Sequence, residues 1–292
     1  MSKVEIWKLA IRPKTLPAAV GPVIVGTAFA IHFGEFKFFP ALAAVIGAVL
    51  LQIAANLAND YFDYLAGHDT EERLGPTRVA ASGLISPTEL RNGLIVNILL
   101  SMVVGLYLIF VGGPLILLIG VLSIIFAVVY SGGPFPLASN GLGDIFVFIF
   151  FGLIAVTGTY YVQAQQIIAE VIIGSIPVGL LVTAILVVNN YRDIETDAKT
   201  GKTTIAVLLG HQWTRIYYII LLGIAYLTPI YLLITGDYTL AILLPLLSVP
   251  LAIKQIAILY EEVDGPKLNK ALAGTAQLGL IYSILFAVGI II

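Results

Sequence analysis

Long runs of apolar residues dominate this sequence, and short polar stretches separate them. A helix that crosses a bilayer needs ~20 mostly apolar residues, because lipid offers the backbone no hydrogen-bond partner. Nine stretches reach or nearly reach that length. They run roughly over residues 16–33, 40–65, 93–112, 114–131, 143–163, 171–190, 215–235, 238–260 and 271–292. The pattern predicts an all-α membrane protein of about nine transmembrane helices, forming a single domain over residues 1–292.

Glycine and proline mark the ends of these stretches. Breaks are predicted at residues 112–114, 132–136, 236–237 and 265–266, where the residue pairs are typical of turns. Only Gly-Gly-Pro separates the third and fourth stretches, which predicts a tight hairpin between them.

The composition agrees with a membrane protein. Hydrophobic residues make up 59% of the chain and charged residues 11%, whereas soluble domains carry roughly 25% charged residues. The absence of cysteine excludes disulfides and thiolate metal sites. No signal peptide is expected, so the first apolar stretch is interpreted as a retained helix. We expect the lipid bilayer around the protein and no nucleic-acid partner.

The basic residues predict an orientation. With the N-terminus in the cytoplasm, every Lys and Arg except Lys37 falls on the cytoplasmic side, out of 15 in the chain. Such an excess is the usual mark of cytoplasmic loops. We therefore expect a multi-pass protein of the cell (inner) membrane, with its N-terminus in the cytoplasm.

Two acidic clusters lie at predicted helix ends on this side. Asp60 and Asp63 are three residues apart, and Asp193 and Asp197 are four apart, so each pair is expected on one helical face. Both clusters begin with the pattern Asn-x-Tyr-x-Asp, repeated 130 residues apart, which is also compatible with coincidence. Carboxylates beside membrane helices are costly and usually functional.

Further polar residues accompany these clusters. Asp69 lies six residues beyond Asp63, and Gly67 is expected to end the helix and carry the chain back. Four asparagines precede the acids within apolar helix and are expected to face an interior cavity, or else to join helices. They are Asn56, Asn59, Asn189 and Asn190.

Oxygen ligands without cysteine suit a hard cation such as Mg²⁺, which commonly bridges to substrate phosphates. Basic residues near the acids could hold a diphosphate. They are Arg12, Lys14, Arg78, Lys199 and Lys202. The alternative is that all these charges are solvated loop residues and orientation signals.

Two segments resemble a known family. Residues 59–70 (NDYFDYLAGHDT) resemble the first aspartate-rich motif of the UbiA superfamily of intramembrane prenyltransferases, and residues 189–197 (NNYRDIETD) resemble the second. Residues 12–16, 75–78, 130–134 and 201–204 are similar to its menaquinone branch, the 1,4-dihydroxy-2-naphthoate polyprenyltransferases. Many relatives, including the 4-hydroxybenzoate branch, carry an acid where this chain has Gly67. Asp69 stands two residues later, which favours the naphthoate branch.

The resemblance implies a UbiA-type bundle and a Mg²⁺-dependent reaction. A polyprenyl group would pass from polyprenyl diphosphate to an aromatic acceptor, 1,4-dihydroxy-2-naphthoate, giving demethylmenaquinone. The implied metal ligands are Asp60, Asp63, Asp69, Asp193 and Asp197, and the implied catalytic cations are Arg78 and Lys202. The asparagines, Lys14 and Lys199 would help to bind substrate. Tyr130 and Tyr191 would present ring faces to an allylic cation, although tyrosines near membrane interfaces are often belt residues.

Other functions stay open at this point. A UbiA-type enzyme with another acceptor, such as 4-hydroxybenzoate or homogentisate, would share both motifs. A transporter would also carry repeats and polar residues in its helices, but its site would lie near the bilayer midplane. A non-catalytic membrane scaffold would leave two intact acidic clusters without a role.

Overall fold

A computed structural model of the chain describes residues 1–68, 75, 77–262 and 265–292. Helices account for most of these residues. They are α1 Lys3–Ile11, α2 Pro17–His32, α3 Phe38–Leu65, α4 Pro87–Gly112, α5 Pro114–Val129, α6 Gly143–Ala164, α7 Ala169–Arg192, α8 Ile194–Lys199, α9 Ile205–Thr235, α10 Leu240–Glu261 and α11 Gly265–Ile291. Each of the nine predicted stretches falls on one of these helices, so the all-α architecture is confirmed.

Local sequence explains where several helices begin and end. Ser86 caps α4 in a capping box with Glu89, and Pro87 occupies the first turn, where a missing N–H costs nothing. Gly113 has a φ of 73° between α4 and α5, which gives the predicted tight hairpin. Gly67 has a φ of 68° just beyond the end of α3, as expected for a residue that ends a helix.

The number of membrane crossings is bounded by helix length. Among the described residues, seven helices are long and apolar enough to cross a membrane. α2 makes an eighth when joined with the preceding residues 3–15, across a bend of 48°. The shorter α5 has 16 residues. The chain is thus an integral, multi-pass membrane protein, and nine crossings with a cytoplasmic N-terminus remain a prediction.

α7 forms the centre of the larger part of the bundle, where it packs against α2, α6, α9 and α11. Glycines allow its closest approach to α6. A Cβ added at Gly152 would lie 2.6 Å from the Gly179 Cα, so the two backbones touch. Residues 148–154, which include Gly152, form a π-helical segment within α6. Small residues are the usual means of close helix packing in membranes.

A smaller apolar cluster joins α1, α3 and α4 with the segment 79–85. Ala54, Leu57 and Ala58 of α3 are at most 2% exposed, and so are Val79 and Leu90. This cluster fixes the last turns of α3 against the chain that follows them. Asp60 and Asp63 are therefore held by packed elements rather than by a free loop.

Candidate active site

The Asp63 carboxylate lies at the centre of a buried cluster of cations. Arg78 donates to Asp63 Oδ2 at 3.0 Å, and Lys202 donates to Oδ1 at 3.3 Å. The Nδ1 of His68 lies 3.5 Å from the same Oδ1. The Asp63 and Arg78 side chains are each only 5% exposed. Two cations therefore flank one carboxylate at the end of α3, and such cations are groups that can also bind an anionic ligand.

Asp60 has a different set of partners, one turn earlier on α3. Its carboxylate accepts hydrogen bonds from the backbone N–H groups of Val79 and Ala80 at 3.1 and 3.3 Å. The residue is 1% exposed. These bonds fix the segment that carries Arg78, so Asp60 positions the arginine as well as presenting a carboxylate.

The asparagines of α3 connect this cluster to neighbouring segments. Asn59 donates to Asp63 Oδ2 at 3.0 Å and to the Ser131 hydroxyl at 2.9 Å, and it accepts from Arg12 at 3.4 Å. Asn56 donates to the Ile11 carbonyl at 2.8 Å. Both amides therefore face the protein interior, as the cost of burying an unpaired amide requires.

The second acidic cluster is built around Arg192. Its Nε donates to Asp193 Oδ1 at 2.8 Å, and other guanidinium nitrogens donate to Asn189 and to Asn269 of α11. Asn190, one turn before the acidic residues, is buried. The helix is interrupted at Asp193, which ends α7 and directly precedes α8, and the prediction that Asp193 and Asp197 share one helical face stays a prediction. The Asp197 N–H still bonds to the Asp193 carbonyl at 2.8 Å, one turn away.

Lys202 brings the two motifs together. Its side chain reaches Asp63, while its backbone N–H bonds to the Asp197 carbonyl at 2.9 Å. The neighbouring Thr203 N–H bonds to the Ser139 carbonyl, also at 2.9 Å. The segments that follow α3, α5 and α7 therefore meet at one end of the bundle.

Two further groups lie at this end. Tyr130 directly follows α5, and its backbone carbonyl accepts a hydrogen bond from the Ala138 N–H at 2.9 Å. Asp144, at the start of α6, is 4% exposed, and its Oδ2 accepts no hydrogen bond from the described residues.

Other predicted site residues lie apart from this cluster. Tyr191 is fully buried, accepts a hydrogen bond from Arg215 at 2.8 Å and donates to the Leu259 carbonyl. Lys14 and Lys199 are exposed, and no ion pair joins Lys14 to an acid in the described part of the chain. The roles predicted for these three residues remain predictions, and Asp69 lies outside the described residues.

The donor set fits a hard divalent cation, since carboxylate and amide oxygens supply it. Among the described residues, however, no three acidic or histidine side chains are gathered into one metal-binding group. Arg78 and Lys202 accompany Asp63, and Arg192 accompanies Asp193. Metal binding by these carboxylates would therefore require their present ion pairs to rearrange.

An apolar cavity of about 340 Å³ lies among α2, α3, α4, α5 and α6. At the end nearer the acidic cluster it is lined by Gln52, Ala55 and Phe126. Gln52 bonds to Asn56 at 3.2 Å, and the Phe126 ring packs against Tyr130 with centroids 5.4 Å apart. The cavity thus begins about two turns of α3 before Asp63.

Sequence reasoning missed several parts of this site. Arg192 was not selected, although its place directly before Asp193 in the second motif was a usable signal. Ser131 lies within residues 130–134, which are similar to the menaquinone branch. Nothing in the sequence indicates its hydrogen bond to Asn59. His68 was not selected either, and its approach to Asp63 depends on how the chain turns at Gly67.

Comparisons with known proteins show what the whole chain is similar to. The model of the UbiA prenyltransferase family matches residues 19–284. The 1,4-dihydroxy-2-naphthoate octaprenyltransferase of Haemophilus influenzae is 38% identical over 99% of this chain and 97% of its own length. The Escherichia coli protein of the same name is 39% identical over 99% and 96% of the two chains.

A solved structure shares the fold. The UbiA homologue from Archaeoglobus fulgidus, bound to DMAPP and Mg²⁺, superimposes with a TM-score of 0.71 over 98% of each chain, at 16% sequence identity. At that identity the similarity extends to the fold alone.

Proposed function

Because this chain belongs to the UbiA prenyltransferase family, we propose that it transfers a polyprenyl group from polyprenyl diphosphate to 1,4-dihydroxy-2-naphthoate, in menaquinone biosynthesis. The observation that carries the proposal is the buried cluster of Arg78 and Lys202 around Asp63, with an apolar cavity that begins about two turns earlier on α3. A diphosphate headgroup and an isoprenyl tail require these two environments side by side. The near full-length likeness to naphthoate prenyltransferases supports the acceptor.

The residues of the cluster have distinct roles in this proposal. Arg78 and Lys202 bind the diphosphate and stabilise the charge that develops on it as the bond to the allylic carbon breaks. Asn59 holds the Asp63 carboxylate, and Asp60 fixes the segment that carries Arg78. Asn56, Asn189 and Asn190 orient these groups from within the helices. The diphosphate leaves with the electrons of the broken carbon–oxygen bond.

The acceptor then reacts with the allylic carbon. A ring carbon of the naphthoate forms the new carbon–carbon bond at the position that held the carboxylate, and carbon dioxide leaves. The product is a prenylated naphthalenediol, the reduced form of demethylmenaquinone. Phe126 lines the cavity and packs against Tyr130, so these two rings can help to exclude water from a cation-like carbon.

Magnesium fits the oxygen donors, and Asp60, Asp63, Asp193 and Asp197, with Asp69, would hold it. A bound divalent ion would neutralise the diphosphate and favour its departure. The Archaeoglobus homologue with bound DMAPP and Mg²⁺ supports this part of the proposal. We also propose that the protein resides in the inner membrane, with the cluster facing the cytoplasm.

The test uses purified protein in detergent with octaprenyl diphosphate and Mg²⁺. It is offered 1,4-dihydroxy-2-naphthoate, 4-hydroxybenzoate and homogentisate, together and singly, and products are identified by mass spectrometry. We expect the decarboxylated prenyl naphthalenediol, or its quinone, as the dominant product. A dominant prenylated benzoate or homogentisate would keep the reaction type and overturn the acceptor. No product from any acceptor, in folded protein, would contradict prenyl transfer.

A further inference from the structure

Four helices contribute a glycine to the lining of the apolar cavity, but Gly47 of α3 packs against α4, where an added Cβ would meet Val104 and Leu108 at 3.7 and 3.8 Å. The glycines of α4, α5 and α6 differ from it. On α4 the cavity-lining residues include 101, 102, 105, 108 and 109, and on α5 they include 116, 117, 120, 123, 124 and 127. Residues three and four apart share one helical face. Gly105 and Gly120 therefore lie in the middle of the stripes that face the cavity. On α6, Gly158 lies in the same way between Ile154 and Val162.

The space around these glycines is empty. A Cβ added at Gly105 or Gly120 would meet no atom within 4 Å, and one at Gly158 would meet only Ile119, at 3.9 Å. The Gly152–Gly179 pair is the opposite case, since there an added Cβ would strike backbone. Close helix packing thus explains Gly152 and Gly179 but does not explain Gly105 or Gly120.

These glycines also lie away from the charged cluster. Gly120 precedes Tyr130 by ten residues, which is about 15 Å along a helix. Near them, Met102, Leu106 and Leu117 line the cavity and are 50%, 66% and 48% exposed. The cavity therefore opens to the outer surface of the bundle at α4 and α5. A tail that starts at Asp63 reaches these positions only if it is long.

We propose that Gly105, Gly120 and Gly158 determine how long an isoprenyl chain the protein accepts. This inference rests on the proposed function, because it assigns the cavity to the tail of the prenyl donor. Without side chains, the three positions leave the far part of the cavity and its opening passable for a long tail. A bulky residue at any of them fills that space while the part next to Asp63 stays unchanged.

The test compares a short and a long donor. Gly105→Leu, Gly120→Leu and Gly158→Leu are assayed with geranyl diphosphate and with octaprenyl diphosphate, each at saturating acceptor. We expect kcat/KM for the long donor to fall by about tenfold or more, the effect of a small steric change in an apolar pocket. The value for geranyl diphosphate should stay close to that of the wild type, which also shows that the variant is folded.

Gly223→Leu is the matched control. Gly223 is exposed on α9, and a Cβ there also meets nothing within 4 Å. This variant should leave the ratio of the two donors unchanged. An equal loss with both donors in the cavity variants, or an unchanged ratio in all three, would overturn the inference while leaving prenyl transfer intact. Failure of the wild type with every donor would instead contradict the proposed function.

Discussion

The Lys202 Nζ lies 3.3 Å from Asp63 Oδ1, although 139 residues separate the two along the chain. This contact joins the segment after the second acidic motif to the end of the first. Together with the bond from Arg78, this contact gives the buried Asp63 carboxylate two cationic partners at the end of α3. Both the proposed chemistry and several consequences for variants depend on it.

Loss of the Asp63 carboxylate should reduce both activity and stability. Asp63→Ala removes the acceptor of Arg78, and breaking a buried ion pair by removing one partner typically costs about 3–5 kcal/mol. We expect a lower midpoint of thermal unfolding in detergent and no measurable prenyl transfer. Asp63→Asn keeps the shape but not the charge, and its NH2 group would face a donor, so it should recover only part of the stability and none of the activity. An active Asp63→Ala protein would contradict the assigned role.

Lys202 should matter more than an exposed lysine outside the two acidic motifs. Lys202→Met removes a cation beside Asp63, and we expect kcat/KM for polyprenyl diphosphate to fall by about 10²-fold, as for loss of one stabilising donor. The matched control is Lys254→Met, because Lys254 is exposed on α10 and should change the rate much less. Steady-state kinetics with varied prenyl diphosphate concentration give kcat/KM for each of the two variants. Equal effects would show that Lys202 acts only through general charge.

Arg78 should not be replaceable by lysine. The guanidinium donates in a fixed planar geometry that an ammonium does not reproduce. Arg78→Lys keeps the charge, so we expect the protein to fold while the KM for the prenyl diphosphate rises and kcat falls. The measurement is a full kinetic analysis beside a thermal unfolding curve. Wild-type kinetics in this variant would leave Arg78 with a purely electrostatic role.

The contact between α6 and α7 should tolerate no side chain. In Gly179→Ala, the added Cβ would lie 2.9 Å from the Gly152 Cα, and overpacking of this kind typically costs about 1–3 kcal/mol. We expect a lower unfolding midpoint, measured with purified protein in one detergent. Gly223→Ala has open space and should be neutral or slightly stabilising, since alanine favours helix. A Gly179→Ala variant as stable as the wild type would show that the helices can separate without cost.

The orientation can be tested because the chain has no cysteine. A single cysteine at Asp237, which is exposed after α9, should react with a membrane-impermeant maleimide in spheroplasts. One at Ser2 should react only after the membrane is opened. Labelling of Ser2→Cys in closed spheroplasts would contradict the cytoplasmic N-terminus, and labelling of both would contradict nine crossings.

Much of the fold could be predicted because the sequence marks where most of the helices begin and end. Apolar length predicted the helices, and turn residues such as Gly67 and Gly113 predicted their ends. The break at Asp193 could not be predicted, because the chain continues in helical spacing on both sides of it. It arises where Arg192 is held by Asn269, a contact between distant segments.

The types of residue in the site could be predicted, but the hydrogen bonds and ion pairs between them could not. The spacing of the acids gave Asp60 and Asp63 one face of α3, and positive charge was expected near them. Tertiary packing decides which residues meet. It brings Arg78 and Lys202 to Asp63, and it brings Tyr191 to Arg215 in the core. Neither pairing has a periodic signal in the sequence.

The central claim is that the cluster around Asp63 performs metal-dependent prenyl transfer to a naphthoate. The most direct measurement is product formation from octaprenyl diphosphate and 1,4-dihydroxy-2-naphthoate labelled with ¹³C in its carboxylate, with Mg²⁺ or with EDTA. We predict equal amounts of prenylated product and labelled carbon dioxide with Mg²⁺, and neither with EDTA or in folded Asp63→Asn protein. Product formation that persists in Asp63→Asn, or that occurs without release of labelled carbon dioxide, would contradict the account.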